Sequence, residues 1–79
     1  MHIGLIGGIG PAATVFYYER IVRAFDAAQQ KLDLTIVHTS ARMLSANVNA
    51  GRVEEQAAEY LRVTQNLAAA GAQAVAVTS

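Results

Sequence analysis

Met1-His2-Ile3-Gly4-Leu5-Ile6-Gly7-Gly8-Ile9-Gly10-Pro11 opens the chain with a short apolar run that two glycines stop. Such a run has the length and content of a strand buried on both faces, as parallel strands are. Pro11, whose ring presets φ, suits the first turn of a helix. Behind it Val15, Tyr18, Val22 and Phe25 recur at spacings of three and four, which predicts an amphipathic helix over 11–30. A buried strand that runs through glycines straight into a helix is the opening of an α/β unit.

The rest of the chain repeats that alternation. Asp33-Leu34-Thr35-Ile36-Val37-His38 is rich in β-branched residues and predicts a second strand. Residues 39–50 are small and polar with weak periodicity, which predicts a loop holding a short helical turn around Arg42 to Ala46. Val53, Ala57, Tyr60, Leu61, Thr64 and Leu67 restore the helical period over 52–70, and Gly71 stands where a left-handed stop is common. Ala72 to Ser79 is again of strand type. The expected fold is a parallel β-α-β-α-β unit with right-handed crossovers, half of a doubly wound three-layer α/β domain.

Composition bounds the function. Of 79 residues, 53% are hydrophobic, but sixteen are alanine and only 6% aromatic, so little side-chain volume is available for a core. Two alanine-rich helices leave part of a three-stranded sheet uncovered, so the chain is expected to be a fragment or to continue elsewhere. Six basic and six acidic residues cancel without any block of like charge, which argues against nucleic acid as a partner. Arg20, Arg23, Asp26 and Asp33 interrupt the apolar stretches, and no basic segment precedes an apolar one, so no membrane association is expected. The expected setting is soluble and cytoplasmic. There is no cysteine, and the two histidines, His2 and His38, have no carboxylate cluster beside them, so no metal and no disulfide is expected.

In an open parallel sheet, ligands bind beyond the carboxyl ends of the strands, where strand order reverses. Three segments converge there: Gly7 to Thr14, the stretch from His38 onward, and Thr78-Ser79. Gly7-Gly8-Ile9-Gly10-Pro11 offers a turn with little side-chain bulk at the positive end of a helix, where free N–H groups can hold an anion; the same glycines also serve a plain strand-to-helix turn. Gly8, Gly10 and Ala13 satisfy the spacing of a dinucleotide fingerprint. Strand two, however, ends His38-Thr39-Ser40 without the acid that would grip a ribose, and Pro11 removes a donor. A P-loop fails because the single lysine, Lys31, lies far from the glycines.

Further candidates line the same end. The Thr14 hydroxyl is a candidate for a substrate carboxylate or for a local backbone bond. His38 is a candidate to orient or protonate a substrate, against the commoner structural role of a lone histidine. Arg42 and Asn47 fall in the predicted loop, which would act as a lid. The Arg42 fork suits a second carboxylate, with solvated surface as its ordinary role. Tyr17 and Tyr18 are expected to be packing residues.

Ile3 to Thr14, the Tyr17-Tyr18 pair, and Ala70-Gly71-Ala72-Gln73-Ala74-Val75-Ala76-Val77 before a strand end together resemble the aspartate/glutamate racemase family of the Asp/Glu/hydantoin racemase superfamily. The resemblance touches most of this chain and only the first part of a family protein, in which two α/β domains of similar topology enclose the active site. On that footing residues 1–79 form the amino-terminal portion of a racemase-like domain. The resemblance implies a cofactor-independent racemase or epimerase for an acidic amino acid, or a related decarboxylase or cis-trans isomerase of a dicarboxylate. Two bases flank the substrate in such enzymes, one removing the α-proton and the other returning it.

The resemblance also implies a cysteine as first base at the end of the third strand. Here that position is Ser79, or Thr78 if the register is displaced by one. A serine hydroxyl is a poor base without an activating partner, whereas a thiol at a helix start ionises near neutral pH. Ser79 is therefore open to three roles: a hydrogen bond to substrate beside a base from the second half, service in a one-base enzyme, or a cap for a following helix. Gly8 and Gly10 are implied for substrate binding, Ile9 as a wall of the pocket, and a homodimer as the assembly of the full-length protein. A nucleotide-binding or regulatory module is the alternative of another class. The isolated chain is expected to be inactive for want of a second base.

Overall fold

β1 (His2–Gly7) is the middle strand of a three-stranded parallel sheet of order β2-β1-β3, flanked by β2 (Asp33–His38) and β3 (Ala74–Val77). Three helices join them: α1 (Pro11–Ala27), α2 (Ala41–Asn49) and α3 (Val53–Ala69). The computed structural model describes residues 1–78. The α/β class and the parallel strands agree with the sequence reading. β1 is central because it is the strand with an unbroken buried stretch, Gly4 to Gly7. A strand buried on both faces needs partners on both edges to satisfy its backbone. It pairs from His2↔Asp33 to Gly7↔His38 on one side and from Ile3↔Ala74 to Ile6↔Val77 on the other.

Successive β1 side chains point to opposite faces. Ile6 packs against Val63 and Leu67 of α3, with Val37, Tyr60 and Ala72 around them. Leu5, fully buried, lies on the opposite face, the one that Gly7 presents to Thr14 of α1. A Cβ at Gly7 would sit 2.6 Å from Thr14 Cγ2, so the glycine lets the start of α1 settle directly on the end of β1. Burying side chains of this size contributes about 1.5–3 kcal/mol each, and among the described residues Leu5, Ile6, Val63 and Leu67 are the large ones fully buried.

Three expectations are corrected. Residues 39–50 are not a loop: they contain the nine-residue helix α2, whose N-terminus is capped by Ser40 Oγ accepting from the Met43 N–H at 3.2 Å. Its period is weak in the sequence because it packs on α3, and the one residue it buries, Asn47, is polar. Next, the apolar face of α1 is only partly covered: Val22 and Phe25 are half-buried, Val15 and Tyr18 stay 55% and 44% exposed, and no α1 residue is fully buried. The helix packs chiefly on β1. Finally, the helix ends earlier than the predicted residue 30, at Ala27, where Gln29 turns the chain with φ 54°.

β3 is exposed at all four positions, so the alanine-rich helices leave that edge open, as the composition implied. The Cα radius of gyration, 13.8 Å, exceeds the roughly 12 Å of a compact chain this long, in keeping with that partial cover. Among the described residues, no helix is long and apolar enough to cross a membrane.

Leu67→Ala is expected to lower unfolding free energy by about 2–5 kcal/mol, whereas Leu61→Ala, at a position 59% exposed on the same helix, changes it by about 0.5 kcal/mol or less. Urea titration followed by circular dichroism checks both.

Candidate functional site

The carboxyl ends of all three strands meet around the Gly7-Gly8 turn. β2 and β3 lie on opposite sides of β1, so the chain leaves β1 toward one neighbour and returns to the other. That reversal is where open parallel sheets form a ligand crevice. Hydrogen bonds lock the convergence from both sides. Thr39 N–H donates to Gly7 O at 2.7 Å, and Thr78 N–H donates to Ile6 O at 2.9 Å.

The turn itself requires glycine at position 8. Its φ is +101°, and a Cβ there would run into the His38 ring at Nδ1 and the carbonyl oxygen of Thr39. Gly8 N–H donates to Thr14 Oγ1 at 3.3 Å, and Thr14 Oγ1 lies 3.0 Å from Thr78 Oγ1, which donates to Ile6 O at 3.1 Å. Thr14 Oγ1 is also 3.3 Å from Gly10 O. Two hydroxyls thus connect the turn, the first turn of α1 and the end of β3.

Electrostatics favour an anion at the start of α1. Its N-cap is Gly10, with no side-chain hydrogen bond, Pro11 follows, and the first turn carries no acidic residue. The N–H groups of Ala12 and Ala13 have no partner within the helix, and Thr14 N–H is the first to find one, Gly10 O at 3.0 Å. α3, of the same 17-residue length, carries Glu54 and Glu55 in its first turn, so its positive end is already matched by charge. α2 has its serine cap. Among the described residues, the start of α1 is therefore the helix N-terminus with neither a side-chain cap nor an acid.

The predicted residues do not all lie together. Gly8, Ile9, Gly10, Thr14, His38 and Thr78 gather at the crevice. Ile9 is half-buried, His38 is exposed with its ring beside Gly8, and Thr78 is buried. Arg42 is exposed on the first turn of α2. Asn47 is buried, donates from Nδ2 to Gln56 Oε1 at 2.8 Å, and ties α2 to α3. Ser79 lies outside the described residues. Two residues escape the sequence reading. Buried Thr39 joins the end of β2 to the glycine turn, and Gln56 is the partner of Asn47. In the sequence Thr39 is an ordinary strand end, and nothing in residue spacing signals a contact made by tertiary packing.

What this arrangement can do chemically is hold a small anion with backbone donors, next to one imidazole. Compared with protein-family models, curated proteins and solved structures, the chain matches none.

Gly8→Ala is expected to cost about 1–3 kcal/mol, because alanine must adopt a left-handed φ while meeting His38 and Thr39. Thermal unfolding followed by circular dichroism reads the loss. Asn47→Ala leaves buried Gln56 without its partner and is expected to cost about 1–3 kcal/mol while sparing any ligand affinity of the glycine turn. A drop in affinity without a drop in stability would restore Asn47 to the binding site.

Proposed function

We propose that this chain is the amino-terminal part of a cofactor-independent racemase or epimerase acting on aspartate, glutamate or a similar acidic substrate. The observation that carries the reading is the meeting of the glycine turn with the end of β3 at the reversal of strand order, beside a helix start with no acid and no side-chain cap. The motif resemblance of Ile3 to Thr14 and Ala70 to Val77 supports it from the sequence side. In this reading the unit is half of a doubly wound domain, and further strands continue the sheet from the open β3 edge.

The mechanism follows from charge. A substrate carboxylate sits against the N–H groups at the start of α1, which also stabilise the enolate-like state reached when the α-proton leaves. His38, exposed beside Gly8, orients the substrate, and Arg42, exposed on the first turn of α2, takes a second carboxylate. Thr78 is a weak choice for the base, since its hydroxyl already donates to Ile6 O. Ser79 occupies the family's first-base position and, lacking a thiol, hydrogen-bonds substrate while a base from a second domain moves the proton. That substitution also supports a second reading, a one-base decarboxylase or cis-trans isomerase of a dicarboxylate in the same superfamily. The assembly is proposed to be a homodimer in the cytoplasm, with no cofactor.

The test is exchange of the α-proton of aspartate and glutamate in heavy water, followed by ¹H NMR with the polypeptide as isolated from its host. Loss of the α-proton signal supports the reading. No exchange with any acidic amino acid sinks it, and stabilisation by a nucleotide but not by a dicarboxylate would favour a nucleotide-binding module instead.

A further inference from the structure

Among the described residues, the hydroxyls of Thr14 and Thr78 form the one side-chain bond that joins the helix start to the end of the third strand across the crevice, 64 residues apart in the chain. Each hydroxyl has a single proton. With Thr78 donating to Ile6 O, the Thr14 proton points between two acceptors, Thr78 Oγ1 and Gly10 O, and its lone pairs stay for Gly8 N–H. The result is a connected line from Gly8 N–H through Thr14 and Thr78 to the carbonyl of Ile6, at 3.3, 3.0 and 3.1 Å, with Gly10 O as a second acceptor for Thr14 at 3.3 Å. Its ends lie at Ile6 of β1 and at Gly8 of the turn that follows, and its middle lies on α1 and just past β3.

We infer that Thr14 and Thr78 are a positioning clasp, which sets the shape of the Gly7-Gly8 turn and so the aim of the N–H groups that would hold an anion. This rests on the anion-binding reading proposed above and deepens it, for it assigns to the two threonines a role other than substrate ligand or base. The geometry argues for positioning on three counts. Thr78 is 3% exposed, so it offers little hydroxyl surface to a ligand. Thr14 is engaged by three groups, Gly8 N–H, Gly10 O and Thr78. The turn they hold is conformationally special, with Gly8 at φ +101°, and a glycine turn without lateral bonds is free to sample other shapes. Backbone bonding from the β3 side reaches no further than Ile6, through Thr78 N–H, so beyond Ile6 the side-chain bonds are what carry order from that strand to the turn.

The experiment uses the ¹⁵N-labelled polypeptide as isolated from its host, with succinate as the anionic probe. Thr78→Val keeps shape and removes the hydroxyl, and Thr78→Ser restores it. The valine variant is expected to shift the Gly8 amide resonance, although residue 78 makes no hydrogen bond to Gly8, and to weaken succinate binding by about five-fold, the scale of one lost hydrogen bond. The serine variant is expected to recover both. Should the valine variant not fold, Thr78→Ala carries the same comparison. An unmoved Gly8 resonance, or a shift that serine does not reverse, overturns the clasp. Unchanged succinate affinity in a variant whose Gly8 resonance has moved overturns its positioning role while leaving the anion site standing. Absence of succinate binding by the unaltered chain overturns the anion site, and the Gly8 shift still decides whether the clasp exists.

Discussion

Everything at the functional end of this molecule depends on how the carboxyl end of β1 is bonded from both sides. Thr39 N–H reaches Gly7 O from the β2 side, and Thr78 N–H reaches Ile6 O from the β3 side. These are continuations of the parallel ladder by a residue beyond each neighbouring strand. They bring three chain segments to one place, and backbone groups this well buried have to be paired. Once that constraint holds, the turn after Gly7 has little room. The His38 ring and the Thr39 carbonyl fill the space beside Gly8, and Thr14 fills the space beside Gly7, so both positions exclude a side chain.

The same arrangement explains the uneven cover of the sheet. α3 brings Val63 and Leu67 onto Ile6, and α2 braces α3 through the buried Asn47–Gln56 bond. On the other face α1 has no fully buried residue, and Val15, Phe16, Tyr17 and Tyr18 remain exposed. The strongly packed side therefore holds the strands, while the side that carries the glycine turn is lightly held by apolar contact and relies on hydrogen bonds. Directional bonds fix orientation where a thin apolar contact leaves it loose. At an anion site built from backbone N–H groups, orientation is what gives the donors their value.

Most of the fold was legible in residue order. The continuous apolar run of β1, the β-branched run of β2, and the three-and-four spacing of α1 and α3 each follow from local periodicity, and Gly71, at φ 101°, ends α3 as its position suggested. α2 was not legible, because its signal is a polar one. Ser40 begins it and Asn47 is its buried contact, and neither registers in a pattern of apolar residues. For the candidate site, the glycine turn and the end of β2 were legible because strand-to-helix glycines and strand order imply where chain segments converge. The assignment of Asn47 beside the site was an extrapolation from sequence position, and its side chain faces α3 instead.

Local chemistry along the chain was sufficient for the class of fold, the parallel sense of the strands and the place of the glycine turn. These depend on period, on the conformational freedom of glycine and on the preset φ of Pro11, all of which act over a few residues. Tertiary packing alone decided that β1 lies in the middle, that Thr14 meets Thr78, and that Asn47 meets Gln56. The first follows from which strand can be buried on both faces, and the others pair polar groups from separate segments, which spacing along one chain does not encode. The physical reason is common to all three. Buried polar groups must find partners wherever the fold brings them together, and that requirement is met only after the strands have been placed.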